Sequence, residues 1–270
     1  MSSQQNRSQS KSNFQFYASL LDAYQNFLDS EEIYDKYWGH SEDPKFTYDE
    51  YADKQFVELI NRINRVPFTN DAVEKGTALN NMVDMLIDGV TDNGQFVLQA
   101  NEEKNLMTIS EREIMVDDEG NQSETFKNEH SFLLPMVREF ADYYDGALKQ
   151  YFVKGTLDTC YGDVDLYGFI DYLLPFSYHD MKTARSYSAG SYKNHWQHIV
   201  YPFAGYQCGL NIERFEYNVT NFKETFTEVY MFKPERDIPR LRNMCELFIG
   251  FLLNNKELIT DEKIFNYRKL

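Results

Sequence analysis

Two aspartates and a lysine sit where apolar strands should not carry charge. In Gly168-Phe169-Ile170-Asp171-Tyr172-Leu173-Leu174 a carboxylate interrupts an otherwise apolar run, and the next extended segment holds Asp180-Met181-Lys182. Burying a carboxylate with neither partner nor metal is expensive. Side chains alternate along a strand, so Asp180 and Lys182 share a face roughly 6–7 Å apart, while His179 and Met181 point the other way. Two carboxylates from adjacent strands, with an ammonium on the same face, make a site for Mg²⁺ or Mn²⁺. These hard ions take oxygen ligands and complete their shell with water or substrate phosphate. A lysine beside them can orient or deprotonate an attacking water and offset the charge that develops on a phosphorane-like transition state.

The tripeptide alone says little, because Asp/Glu-x-Lys also occurs at Asp43-Lys45, Glu102-Lys104 and Asp261-Lys263. Only the copy at 180–182 follows an aspartate-bearing apolar strand and precedes a helix with Gln197 and Tyr201, whose i, i+4 spacing puts both on one helix face. Residues 181–201 contain Lys182, Arg185, Lys193, His195 and His198 and no acid. Tyr187, Tyr192 and Trp196 in this window read as stacking partners for bases or sugars. His195 and His198, without an acidic partner, read as surface residues rather than a zinc pair.

The elements that must position these residues follow from periodicity. Tyr17, Leu20, Leu21, Tyr24, Phe27 and Leu28 predict an amphipathic helix capped by Asn13. A second fits Phe56 to Ile63 and ends before Pro67. A third runs from about Thr77 to Gly89. Residues 101–130 carry nine acids and three bases around a DDEG turn and read as an exposed hairpin. Pro135 starts a helix whose stripe runs from Met136 to Leu148. Tyr151–Thr159, Val164–Leu174 and Phe176–Thr183 then form an antiparallel meander. A helix over Tyr192–Cys208, strands near Phe215–Val219 and Thr227–Phe232, and a helix carrying Ile238 to Leu252 complete the chain.

Composition bounds the function classes. The 270 residues carry a formal charge of −16, and 42% are hydrophobic, enough for a substantial core. Such acidity excludes a polybasic nucleic-acid coat, but the charge is unevenly placed. Residues 22–60 hold eleven acids and three bases, so most of the excess lies in that segment and in 101–130, away from Asp180. The acidic segments read as solvated faces that confine an anionic substrate to one groove by repulsion elsewhere. Three cysteines without a CxxC pair give no disulfide framework and no metal set. The longest apolar run, Leu247–Leu253, is far short of a membrane span. Residues 1–13 are expected to be a disordered leader, 14–270 one domain with an acidic insertion near 91–131, and the location cytoplasmic. The sequons at Asn121 and Asn218 read as chance matches.

Gly168-Phe-Ile-Asp171, Asp180-Met-Lys182-Thr183 and Gln197-x-x-x-Tyr201, in that order on strand, strand and helix, resemble the PD-(D/E)xK nuclease superfamily, within it the RecB-type and phage exonuclease group. Lys75-Gly76-Thr77-Ala78-Leu79-Asn80-Asn81-Met82-Val83-Asp84 is similar to that group's first helical motif, and Phe16 to Tyr24 to its N-terminal helix. The resemblance spans most of residues 14–235. It implies an α/β fold with a restriction-endonuclease-like core, a mixed central sheet with an antiparallel meander flanked by helices. It implies Asp171, Asp180 and the Met181 carbonyl as metal ligands, joined by Asn80 and Asp84. Asn80 stands where the group has histidine and offers a weaker, neutral oxygen. Lys182 would serve the attacking water. Gln197 and Tyr201 would hold the substrate backbone or brace Lys182, with Arg185 and Lys193 as further substrate contacts. The iron–sulfur branch is excluded by the cysteine count.

The expected function is a Mg²⁺- or Mn²⁺-dependent deoxyribonuclease, an exonuclease in the first instance, that hydrolyses DNA phosphodiesters with a metal-activated water. The expected setting is a bacterial or phage-infected cytoplasm, with DNA and a recombination or single-strand-binding protein as partners. The rivals are a nuclease-like fold that binds DNA or a partner without cutting, and an acidic interaction protein or nucleic-acid mimic.

Overall fold

In this computed structural model residues 12–116 and 120–265 are described. The expected leader lies outside the described residues up to position 11. Its last two positions are ordered parts of the fold. The buried Ser12 hydroxyl donates to Asp165, and the Asn13 amide N–H donates to the Asp163 carbonyl at 2.8 Å. Residues 117–119 of the DDEG turn also lie outside the described residues.

The first element among the described residues is a strand, β1 (Phe14–Tyr17), where periodicity predicts the first turn of a helix. Phe14 and Phe16 alternate into the core, and β1 pairs in parallel with β6 (Val164–Leu174), so sheet pairing overrides the local helical spacing. The helix α1 (Ala18–Leu28) follows directly, with Tyr17 rather than Asn13 at its N-cap. Next come α2 (Ser30–Tyr37) and α3 (Tyr48–Ile63), the latter started by a Thr47/Glu50 capping box. Helix α4 (Asp71–Ile87) is capped by Asn70, whose side chain accepts the Val73 N–H.

The acidic insertion forms a separate three-stranded antiparallel sheet of β2 (Phe96–Asn101), β3 (Leu106–Val116) and β4 (Gln122–Leu133). Strands β3 and β4 are the expected hairpin, and β2 adds a third strand to it. Helix α5 (Leu134–Tyr143) begins at the expected proline but ends before Leu148. Tyr144 still buries its ring, and Leu148 already opens β5 (Leu148–Leu157).

The meander is as expected: β5 pairs antiparallel with β6, and β6 with β7 (Ser177–Thr183). The strands β8 (Arg214–Thr220) and β9 (Thr225–Met231) extend the sheet, β8 parallel to β7 and antiparallel to β9. Helix α6 (Gln197–Gln207) and helix α7 (Pro234–Asn254) pack with α1 against this mixed sheet. A second apolar cluster joins α4, α5 and the small sheet to Tyr172 and Met181 of the large one. The molecule is therefore a mixed α/β fold, its six-stranded sheet flanked by helices. Among the described residues no helix is long and apolar enough to cross a membrane.

The large sheet is irregular along β6. This strand pairs with β7 only through Tyr172, Leu173 and Leu174, and with β1 only through residues 164–167, so its edge between them is open. Helix α6 meets both Gly168 of β6 and Tyr178 of β7. In an unbroken ladder, Tyr178 lies opposite Leu173 and so on the face away from Gly168. The alternation must slip by one between 168 and 173. The β5–β6 ladder skips one pair there, Gln150 opposite Asp171, and Gln150 adopts a left-handed backbone with φ 48°.

Candidate active site

Asp171 lies at that slip, at the point where β6 and β7 part. Its Oδ1 accepts from Gln150 Nε2 at 3.2 Å and its Oδ2 from the Met181 N–H at 3.3 Å. The left-handed turn at Gln150 is a strained conformation for a non-glycine residue, and it holds that residue opposite the carboxylate. In a strand, the N–H and C=O of one residue face the same edge. The Met181 carbonyl therefore also faces the open side toward Asp171, while its side chain is buried in the second apolar cluster.

Asp180, only 3% exposed, projects from β7 toward α6. Its Oδ1 accepts from Gln197 Nε2 at 2.9 Å, and its Oδ2 stands 2.8 Å from Lys182 Nζ. The buried Asp180 Oδ2 is thus met by the Lys182 ammonium, and both oxygens of this carboxylate are engaged from within the protein. Burial and the neighbouring Asp180 both push the Asp171 carboxyl above the usual carboxylate range. Burial acts to lower Lys182, but Asp180 and Asp171 outweigh it and hold its ammonium above the ordinary lysine value. Lys182 is thus a protonated donor, which favours orienting an anion or a water over deprotonating it.

Gln197 and Tyr201 are buried on α6. They hold the site from behind and are not exposed to a substrate. Tyr201 packs on Gly168, where a Cβ would come within 2.5 Å of its ring, and its hydroxyl bonds Gln197. Removing Gln197 should leave a buried, charged oxygen short of its donor. Gln197→Ala is expected to lose about 1–3 kcal/mol of stability, read as a lower urea midpoint at unchanged slope.

Asn80 and Asp84 lie one turn apart on α4. Asp84 reaches the site's neighbourhood, since its carboxylate bonds the Tyr172 hydroxyl and burial raises its pKa; its Oδ1 is buried without a hydrogen-bond partner. No contact recorded among the described residues joins Asn80 to the carboxylate pair. Arg185 is exposed beyond the end of β7. Lys193 lines a different cavity of about 590 Å³, with Asp22, Glu32, Lys36 and His195.

The expected stacking aromatics are occupied internally. Tyr192 stacks on Tyr217 at 4.6 Å, Tyr187 on Phe226 at 4.4 Å, and Trp196 is buried. Their segment is a loop rather than the start of the helix, because Glu228 captures the Gly190 and Ser191 N–H groups at 2.9 and 3.0 Å. His198 is no surface residue either. It is buried, stacked on Tyr230 at 4.2 Å and bonded to the Tyr217 hydroxyl at 3.1 Å. His195 faces Asp22 at 3.5 Å. The pair forms no metal site.

Burial lowers His198 to about 4, against a smaller opposing pull from Asp22. The unfolded chain therefore takes up this proton before the folded one does as pH falls. Stability is expected to be full above about pH 6.5 and to decline between there and about pH 4. Thermal melts across this range check it, and His198→Phe should flatten part of the slope.

Behind Asp180, on the other face of β7, His179 accepts at Nε2 from the Ser177 hydroxyl at 2.5 Å and meets Asn218 Oδ1 at 3.0 Å. Tyr144 also donates to Asn218 and stacks on Tyr172 at 3.9 Å. The grouping has the look of a hydrolytic triad, but Ser177 and His179 are both buried, so it braces β7 instead.

Among the described residues no group of three or more His, Cys, Asp and Glu side chains is placed to hold a metal. An ion here would rest on Asp171 and Asp180 plus neutral oxygens. That all-oxygen donor set suits Mg²⁺ or Mn²⁺ and not Zn²⁺, and an ion there would share Asp180 Oδ2 with the Lys182 ammonium. Gln150 and the Tyr172–Asp84 bond leave no signal in the sequence, because both depend on which strands meet. Gly168, a glycine inside an apolar strand, is the available signal for the close approach of Tyr201. Comparison with family models, curated proteins and solved structures returns no match to this chain.

Proposed function

We propose that this protein is a metal-dependent deoxyribonuclease of PD-(D/E)xK type, with a restriction-endonuclease-like core, that hydrolyses phosphodiester bonds and acts as an exonuclease. The observation that carries the reading is the meeting of Asp171, Asp180 and Lys182 where β6 and β7 separate. Two buried carboxylates share one ammonium there, and burying the excess negative charge is expensive unless a cation offsets it.

Asp171, Asp180 and the Met181 carbonyl would hold a Mg²⁺ or Mn²⁺ ion. When bound, such an ion lowers the pKa of a coordinated water and offsets charge on a phosphoryl group. The protein's own contribution is positional. Gln150 and the Met181 N–H fix Asp171, and Gln197, braced by Tyr201, fixes Asp180. The Lys182 side chain is about a third exposed, and its ammonium can donate to a phosphate oxygen or hold a water in line.

The test is incubation of end-labelled linear and closed circular DNA with Mg²⁺, Mn²⁺ or EDTA. Loss of label from linear DNA only, abolished by EDTA, is the expected result. Intact DNA under every condition would overturn the assignment.

A second reading draws on Asn80 and on the pairing of only two carboxylates: a nuclease-like fold that binds DNA without cutting it. Calorimetric titration separates the two, because the non-cutting form takes up no Mg²⁺ or Mn²⁺ in a manner that depends on Asp171.

A further inference from the structure

Gln197, the donor that fixes Asp180, is the first residue of α6, yet the sequence of this helix gives that end little support. Its N-cap residue, Trp196, makes no side-chain cap, and its first turn holds no acid. Ile199 and Val200 are β-branched, and Pro202 inside the helix has no N–H for the carbonyl four residues back. At 11 residues the helix is too short to be stable by propensity alone. Something outside it must hold Gln197 in place.

The support comes from α1. Asp22 Oδ1 accepts the Trp196 N–H at 2.5 Å, across 174 positions of the chain. Trp196 already has helical dihedrals of φ −97° and ψ −12°, and its carbonyl accepts from the Ile199 and Val200 N–H groups at 3.0 and 2.8 Å. Both polar ends of the Trp196 backbone are thus held, one by the helix and the other by Asp22. The Asp22 side chain is only 13% exposed, and its second oxygen faces His195 Nδ1 at 3.5 Å. Its charge lies at the positive end of the helix, where an acid is favoured. Gln197 follows directly, and its amide reaches Asp180 at 2.9 Å.

We propose that Asp22 is a positioning residue for the Asp180 carboxylate, acting through the Trp196 N–H and Gln197. The inference rests on the nuclease reading for what that carboxylate does. Without the acceptor on α1 the first turn of α6 can fray, Gln197 leaves Asp180, and a metal ligand loses its fixed orientation. Residues that orient a ligand in this way are worth about 10–100-fold in metal affinity or activity. The role differs from general support of the fold, because its effect passes through one side chain, Gln197, that can be removed separately.

The experiment measures Mn²⁺ binding to the full-length protein, by loss of the free-ion electron paramagnetic resonance signal, and cleavage of linear DNA. Both are read well below the thermal midpoint of each variant. Asp22→Ala should weaken Mn²⁺ binding and lower kcat by about tenfold or more, with KM for DNA little changed. Asp22→Asn keeps an oxygen for the Trp196 N–H and loses only the charge at the helix end, so it should stay within about threefold of wild type. His195→Ala removes the other neighbour of Asp22 and should leave Mn²⁺ binding unchanged. In a Gln197→Ala background, Asp22→Ala should add less than about twofold, because the route is already cut. Asp22→Glu keeps the charge but moves the acceptor by one methylene. It should lose Mn²⁺ affinity as alanine does, and it decides the question if the alanine variant fails to fold.

Wild-type Mn²⁺ affinity in the alanine and glutamate variants overturns the proposal. So does a loss in Asp22→Ala that adds in full to that of Gln197→Ala, since the route would then bypass Gln197. An equal loss in the alanine and asparagine variants also overturns it, because the charge and not the bond to Trp196 would be at work. A wild-type chain that takes up no Mn²⁺ and cuts no DNA removes the nuclease reading and the proposal with it. Unchanged Asp22 variants of a chain that does both remove the proposal alone, so the two failures are distinguishable.

Discussion

Purified Asp180→Asn protein should fold normally and lose DNA cleavage by about 10³-fold or more with Mg²⁺ or Mn²⁺. Asparagine keeps the shape of the side chain and an oxygen to accept from Gln197, so the hydrogen bond at 2.9 Å has a successor. What disappears is the charge of an almost fully buried carboxylate. The Lys182 ammonium 2.8 Å away loses this partner and keeps only Asp171 nearby, and breaking a partly buried pair costs stability, so a thermal midpoint below the wild-type value is expected. Cleavage assayed well below that midpoint, on protein whose circular dichroism matches wild type, separates a catalytic Asp180 from a merely structural one. Lys182→Ala should reduce cleavage by about 10²–10³-fold by deleting the donor 2.8 Å from Asp180. Cleavage by Asp180→Asn within tenfold of wild type would sink the assignment of this residue.

The second large effect concerns stability. Gly155→Ala should destabilise the protein by about 1–3 kcal/mol through overpacking. At the shift per kcal/mol usual for chains of this size, that lowers the thermal midpoint by roughly 2–12 °C. An added Cβ would stand 2.9 Å from the Ala204 Cα and 3.2 Å from the Phe203 ring. The nearest obstacle is helix backbone, so no rotamer change relieves it and α6 must move as a unit. Because α6 also carries Gln197 and Tyr201, the shift should reach Asp180 and lower cleavage beyond what the lost stability explains. A variant with an unchanged melting curve would show that α6 does not pack this closely on β5.

Both predictions turn on a site that is partly legible in the amino-acid sequence. Asp171, Asp180 and Lys182 stand out because charge inside apolar strands violates the expected pattern, and a violation of that kind points to a ligand or a partner. The meander is legible because three β-rich runs are separated by turn residues. The aromatic window at 181–201 misleads, because aromatic residues look alike in sequence whether they stack on a base or on Tyr217 and Phe226. Periodicity extends the first helix and the helix after Pro135 too far, since Phe14, Phe16, Tyr144 and Leu148 fit a helical stripe and a strand or turn equally well. Long-range pairing decides against the helix.

From the sequence alone come the composition of the core, the mixed α/β class, the order of the meander strands, and the types and spacing of the two carboxylates and the lysine. These depend on local patterning, where period and residue type suffice. The tertiary structure decided the rest. It set the slip at Gln150 and Asp171 that turns one carboxylate toward the Met181 N–H, placed Gln197 behind Asp180, and brought the two carboxylates together beside one ammonium. Each of these requires segments far apart in the chain to meet at hydrogen-bond distance, and such a meeting is fixed by the register of a sheet and the seat of a helix, not by any neighbouring residue.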